Sequence, residues 1–364
     1  MHHTRPWITA GVALVGAGLL AATPGAASMS GPLPTLGTPD IQLTATDMVL
    51  EFVRHGLSTD NVQLINGSVA PGAHLADYPD PYNGFHQAEA VGQALFDEYG
   101  TDGVDGIFAS GLVRTQETAA PFAGLMGMDV ANLSGLNEIN AGIWEGIQSS
   151  TVDQFKAVAL SYLMAPMLWT YGLYSVPLLG SSDFNGMAFN DRFGDAVQAI
   201  YDHSLSLDDP TMHDVAFSHG GAIMVWTLMN VKNPDFDLLL EHPLTNTSRV
   251  VIEGNPTDGW TLVNWDGVEV SATPDSMTGL IVDVRDLIVA PQMASYHIQQ
   301  ALLSMDPDQI TSAIQTGFQD VFNAVTQFPQ AVFETLSGAF GDATSGGVEA
   351  TNDAIGDVVA SLAS

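Results

Sequence analysis

Five residues open the reading of this chain: Arg54, His55 and Gly56, followed by Ser58 and Asn61. They end the run Val49-Leu50-Glu51-Phe52-Val53, in which β-branched Val49 and Val53 favour extended backbone and nothing breaks the strand before Gly56. A guanidinium and an imidazole at the carboxyl end of a central strand sit where α/β folds place ligands. Such a pair can bind an anion and supply a nitrogen that attacks or carries protons. A strand that merely ends in two solvated polar residues would look the same, so the rest of the chain has to decide.

The pattern recurs. His213-Asp214-Val215-Ala216-Phe217-Ser218-His219-Gly220 is again a strand closing on a His-Gly turn. A second arginine, Arg114, follows the short strand Gly106–Ser110 at the start of a helical stretch, and Glu138 lies in the turn-rich loop 136–146. Parallel strands place all their carboxyl ends on one edge of a sheet. Arg54, His55, Arg114, Glu138 and His219 can therefore meet although they are far apart in the chain.

The elements that must position them follow from periodicity. Apolar residues at helical spacing predict helices over 84–99, closed by Gly100, over 112–126, over 189–205 and over 222–229. Residues 249–253 and 260–265 read as a closing pair of strands, and 62–83, rich in Gly and Pro, as a long irregular excursion. Strands alternating with helices define an α/β fold: three layers, with a mainly parallel central sheet flanked by helices.

Two segments stand apart from this alternation. No charge occurs between Lys156 and Asp183, a run holding Tyr162, Met164, Trp169 and Tyr171. Pro166, Gly172 and Pro177 argue against a clean membrane span there, leaving a packed helical piece or a membrane-touching surface. Beyond residue 276 the chain reads as an accessory helical extension, 276–364, interrupted at Pro329 and either docked on the domain or bound to an envelope partner. At the other end Arg5, the apolar run Trp7–Ala22 and the small residues Gly25 and Ala27 have the layout of a signal peptide over 1–27, with an uncleaved anchor as the alternative. A Pro/Gly/Ser/Thr-rich leader, 28–46, follows.

Composition narrows the partners. The 364 residues carry 8 Lys+Arg against 41 Asp+Glu, a formal charge of -33. That excludes ordinary nucleic-acid binding, which needs basic surface, and attraction to anionic membranes. Cys is 0, which removes disulfides, thiolate metal sites and cysteine nucleophiles. The hydrophobic share of 46% argues for a folded chain despite the charge.

Four segments, in this order and on these elements, resemble the histidine phosphatase superfamily, the phosphoglycerate mutase-like proteins. They are Arg54-His55-Gly56 with Ser58 and Asn61; Ser110-Gly111-Leu112-Val113-Arg114 with Thr118; Leu136-Asn137-Glu138 through Gly146; and Ser218-His219-Gly220. The resemblance covers roughly 47–270 and implies a phosphatase domain over 47–275 with a variable cap at 151–190. It implies His55 as the nucleophile that becomes phosphohistidine, Arg54, Arg114 and His219 as holders of the phosphoryl oxygens, and Glu138 as proton donor and then base. Burial would raise the Glu138 pKa and a neighbouring arginine would lower it, a balance the sequence leaves open. Asn61 and the Gly220 amide are further candidate phosphate donors. Because Gly220, and not an Asp, follows His219, the mutase-like branch fits better than the acid-phosphatase branch.

The expected activity is thus an exported phosphatase, in the cell envelope or secreted, acting on small phosphomonoesters without cofactor. A phosphomutase of the same family and a catalytically weak envelope-interaction protein are the alternatives. His55, His219 and Glu138 form a possible zinc set, but Arg54 and Arg114 beside them disfavour a cation, so no metal is expected. Glu145 is the runner-up acid, otherwise a solvated loop carboxylate. Arg192 stands either near the entrance or in a helix-surface salt bridge. Leu57 replaces the Glu or Gln usual in the family, and the uncharged 157–182 run points to a substrate with an apolar part. Envelope contact would run through the cap or the C-terminal extension.

Overall fold

The structure is a computed structural model that describes residues 46–70, 72–207 and 212–346. The expected signal over 1–27, nearly all of the leader and the last Ala/Val-rich piece lie outside the described residues. In chain order the elements are β1 (Met48–Arg54), α1 (Thr59–Val62), α2 (Gly84–Tyr99), β2 (Gly106–Ala109), α3 (Val113–Met126), β3 (Val130–Asn132), α4 (Val152–Thr170) and α5 (Gly186–Leu205). Then come β4 (Met212–Ser218), α6 (Gly220–Asn230), α7 (Leu238–Glu241), β5 (Arg249–Asn255), β6 (Gly259–Trp265), β7 (Val268–Glu269), α8 (Ser276–Ser304) and α9 (Pro307–Gly346).

The strands form one sheet in the order β3-β2-β4-β1-β5-β6-β7. Its centre is parallel, β2 and β1 flanking β4, whereas β5, β6 and β7 run antiparallel at one side. The α/β expectation holds, with a mixed sheet. Strand alternation distributes the core over two faces. Leu50, Phe52, Phe108 and Ala216 pack with residues of α4, α5 and α6. Val53, Ile107, Ala109, Val215 and Phe217 pack with residues of α2 and α3 on the other side. Those two layers of helices hold the sheet edge that carries the motif residues.

One departure from the sequence reading concerns proline: Pro329 does not interrupt α9, which runs on through it. Pro166 likewise sits inside α4, in the helical piece expected there. A proline removes one backbone hydrogen bond, a cost that packing along the rest of a long helix outweighs. Close approach supplies that packing for α9. Added carbon at Gly279 would meet Thr335 at 2.7 Å, and at Gly317 it would meet Ala294 at 2.9 Å, so the two helices cross on glycine. The extension is docked. Arg285 of α8 is buried and donates to Leu228 O and Val231 O, both at 3.0 Å, at the end of α6. Gln292 donates to Gly172 O at 2.8 Å. Among the described residues no helix is long and apolar enough to cross a membrane.

One buried polar residue of the central strand has a stability consequence. Asp214 on β4 is fully buried; Ser204 donates to one of its oxygens and the other has no partner. Burial pushes its pKa up to about 7. The folded chain therefore holds this proton between pH about 4 and about 7, while the unfolded chain has released it. Stability falls as pH rises through that window, by about 1.4 kcal/mol per pH unit for this one group. Asp214→Asn should remove that slope: denaturant titrations at several pH values should show the variant gaining on the parent from pH about 5 to about 7. A difference independent of pH would refute this.

Candidate active site

Register brings the motifs together. Parallel pairing matches Arg54 with Ser218, so the next residues on the two strands, His55 and His219, leave the sheet side by side. Their rings lie 5.1 Å apart at 61°. The backbone N–H of His55 donates to Ser218 O at 3.0 Å and continues the ladder one residue past the strand. On the far side of β4, Ala109 pairs with Phe217, which sets Ser110 beside His219. The Ser110 hydroxyl lies 2.8 Å from His219 Nε2.

His55 is held in one tautomer. Its Nδ1 lies 2.7 Å from the carbonyl of Gly56 and must donate to it, which leaves Nε2 unprotonated and nucleophilic in the neutral ring. Burial, then the charges of Arg114 and Arg54, depress the His55 pKa well below the usual range. The ring is therefore neutral at physiological pH. His219 is neutral too, its pKa depressed well below normal by burial and then by Arg114. Arg114 donates to its Nδ1 at 3.2 Å, so Nε2 carries the proton toward Ser110.

The two arginines are held from one side only. Arg54 donates to Leu244 O, yet its Nε is buried without a partner. Arg114, fully buried, donates through one terminal nitrogen to Ser68 O at 2.7 Å, and its other terminal nitrogen has no partner. Unsatisfied buried guanidinium N–H groups are costly, and an oxyanion would satisfy them. Thr118, part of the second motif, pins the loop: its hydroxyl accepts from Gly56 N at 3.0 Å and donates to Arg114 O at 2.6 Å. Ser58 and Asn61 cap α1 reciprocally, Ser58 N donating to Asn61 Oδ1 at 3.2 Å. This fixes the Asn61 amide NH2 as the group it can offer a ligand.

Glu138 faces them from the loop before α4. Its carboxylate accepts from Gly221 N at 3.0 Å and from its neighbour Ile139 N at 2.9 Å. Burial raises its pKa, outweighing those two amides and the two arginines, which act the other way. In the balance left open by the sequence, burial is thus the larger effect. Glycine is required opposite it, since a Cβ on Gly221 would come within 2.8 Å of Glu138 Oε1. A Cβ on Gly220 would press on Arg54 Cδ at 3.1 Å.

These residues line one cavity of about 310 Å³ that includes Arg54, His55, Asn61, Arg114, Glu138 and Gly220. His219 is buried just behind it, in contact with Arg114. All seven residues picked out in the sequence are brought together. The surrounding shell was less legible. Glu145 is not a solvated carboxylate; it accepts from Ser68 N at 3.2 Å and Val69 N at 3.1 Å, fixing the Ser68 carbonyl that holds Arg114. Arg192 forms a bidentate pair with Asp183 at 2.8 and 3.0 Å and also donates to Gly135 O at 2.6 Å and Asn137 O at 3.1 Å. Asp183 in turn accepts from Asn140 N at 2.9 Å. This clamp grips the turn-rich loop on both sides of Glu138. Leu57 does not line the cavity; its N–H donates to Gln87 at 2.7 Å.

A cavity with two guanidiniums, a neutral imidazole with a free nitrogen and a carboxyl of raised pKa has the groups that displacement at an anionic phosphoryl centre needs. The chain belongs to the histidine phosphatase superfamily (branch 1), whose family model matches residues 50–267. It is 44% identical over 301 residues to the PE-PGRS family protein PE_PGRS11 of Mycobacterium tuberculosis, an alignment that covers 81% of this chain and 49% of that protein. The chain thus spans about half the length of that relative. Among solved structures it overlaps with one titled mycobacterial hydrolase 1, at 22% identity and a TM-score of 0.46, covering 62% of this chain and 100% of that one. It also overlaps with a mycobacterial glucosyl-3-phosphoglycerate phosphatase in complex with VO3, at 21% identity and a TM-score of 0.46, covering 61% and 100%.

Proposed function

We propose that this protein hydrolyses phosphomonoesters through a phosphohistidine at His55, without a metal ion. The observation that carries the reading is the fixed His55 tautomer, Nδ1 tied to Gly56 O, inside a cavity in which Arg54 and Arg114 are, among the described residues, the lining Arg and Lys side chains. The steps balance as follows. The His55 Nε2 lone pair attacks phosphorus as the ester P–O bond breaks, and the Glu138 carboxyl passes its proton to the departing alkoxide. Water then attacks the phosphohistidine, Glu138 takes up a proton from it, and orthophosphate leaves with His55 restored. Arg54 and Arg114 hold the phosphoryl oxygens, and Asn61 and the Gly220 N–H are additional donors. Ser110 fixes the orientation of His219, which stands against Arg114.

The same observation favours a phosphatase over a phosphomutase. A mutase must hold a second anionic group on its substrate, and no further Lys or Arg lines the cavity. Export through the 1–27 segment, and envelope contact through exposed apolar side chains such as Leu160 and Met164 of α4 or Phe318 and Phe322 of α9, complete the proposal. Fractionation of cells expressing the chain with and without residues 1–27 tests export; equal cytoplasmic retention of both would overturn it.

Turnover of phenyl phosphate should fall by about 10³-fold or more in His55→Ala. Wild-type protein quenched in base during turnover should carry acid-labile phosphate that the variant lacks. A variant that keeps its turnover, or label found on another residue, would overturn the assignment.

The Arg192–Asp183 clamp gives a separate expectation, because it positions the proton donor and touches neither phosphate nor nucleophile. Arg192→Ala should slow an alkyl phosphate, whose leaving group needs the proton, by about 10- to 100-fold. It should slow 2,4-dinitrophenyl phosphate, whose leaving group does not, by less than about 3-fold. Arg192→Lys should restore little, since the fork geometry is lost. Equal losses on both esters would show that the clamp serves folding alone.

A further inference from the structure

The charged groups share the cavity with a wall of a different chemistry. Phe155, Ala159 and Leu163 stand at i, i+4 and i+8 on α4 and present one helical face to the cavity. Met224 of α6, Ile65 and Leu244 complete this wall. Met224 lies one turn after the Gly220-Gly221 pair, so the apolar wall begins directly beside the phosphoryl end.

The hydroxyls of Tyr162 and Ser68 and the Asn66 NH2 group are each bonded to the protein. Tyr162 donates its hydroxyl to Ile139 O at 3.0 Å, and Asn66 donates its amide to Trp144 O at 2.9 Å. Ser68 donates to Glu145 and accepts from Ala141 N at 2.8 Å. No charged side chain reaches this wall, because Arg192 is locked in its clamp and Lys156 is exposed on α4 without lining the cavity. A hydroxyl-rich or carboxylated leaving group placed here would give up water without regaining its hydrogen bonds. An apolar one would gain from burial.

We propose that this wall is a leaving-group subsite that selects phosphate esters of apolar alcohols, alkyl or aryl, over those of sugars, glycerol or glycerate. The inference rests on the phosphatase reading and adds the substrate class. The cavity, about 310 Å³, is at the small end for ligand pockets, so discrimination should saturate after several carbons. Longer chains would leave the cavity beside α4.

The test is a homologous series of alkyl monophosphates, ethyl to octyl and below their micellar concentrations, with 2-glycerol phosphate and 3-phosphoglycerate for comparison. Phosphate release gives kcat/KM for each with the full chain. The expected result is a rise of about threefold per methylene up to roughly hexyl, then a plateau. Glycerol phosphate should fall at least about tenfold below propyl phosphate. Leu163→Asn and Phe155→Ser, at partly exposed positions, should each flatten the rise, and their thermal unfolding should stay close to that of the parent. A flat series, or preference for glycerol phosphate or 3-phosphoglycerate, would overturn the subsite while leaving the phosphatase reading intact. Release no faster than with His55→Ala from every ester would overturn both.

Discussion

The whole site hangs on the register of one parallel ladder. β1 and β4 are adjacent only because the chain crosses over between them, and their pairing matches Arg54 with Ser218. Shifting that register by one residue would turn each strand's side chains to the opposite face of the sheet. Leu50 and Phe52 would then exchange faces with Glu51 and Val53, and His55 would no longer meet His219. The core on both faces enforces the register, and the register places the imidazoles. Stability and site geometry are therefore the same constraint, seen at the middle and at the end of the strands.

At that end the electrostatics are deliberately unbalanced. Arg54 and Arg114 face Glu138 across the cavity, with Asp60 and Glu145 also near Arg114, and the Glu138 pKa is nevertheless raised because its burial outweighs the two guanidiniums. Both guanidiniums have buried nitrogens without partners. Both imidazoles are neutral, so they add no further positive charge. The net result is a site with buried guanidinium donors that an oxyanion could satisfy, facing a carboxyl whose pKa burial has raised. Anchoring from behind keeps the unsatisfied groups in place: Ser68 O, Thr118 and Leu244 O each hold backbone or side chain of this set.

Much of this was legible in the sequence because the decisive residues occupy strand ends and their types are unusual for those places. Arg54, His55, Arg114, Glu138 and His219 could be named, and the α/β alternation placed them on one edge. What escaped reading was whatever depends on a partner remote in the chain. Glu145 looked solvated because nothing near it marks Ser68 and Val69 as its donors, some 77 residues away. Arg192 gave two readings because, besides Asp183, its acceptors are the carbonyls of Gly135 and Asn137, backbone atoms with no sequence signature. Leu57 drew attention as a missing polar side chain, yet its backbone N–H is met by Gln87 from α2. Pro329 read as a break because local propensity ignores the long face that α9 lays against α8.

Scarcity of cations turns these assignments into a specificity argument. With 8 Lys+Arg in a chain of charge -33, each arginine has many possible carboxylate partners, and its location reports what the fold could not do without. Among the described residues, Arg249 is paired with buried Glu51, Arg285 ties α8 to α6, and Arg192 braces the Glu138 loop. Lys156 and Lys232 are exposed. Among the described Lys and Arg side chains, Arg54 and Arg114 are the two with buried donors to spare, and both stand beside His55. The donors left free are therefore gathered at one place in the cavity. Side chains of α4 and Met224 line it as well, and there the favourable contribution is burial of carbon. The scarcity of cations in the chain and the lining of its cavity thus agree: spare guanidinium donors beside His55, and carbon on the wall that α4 and Met224 supply.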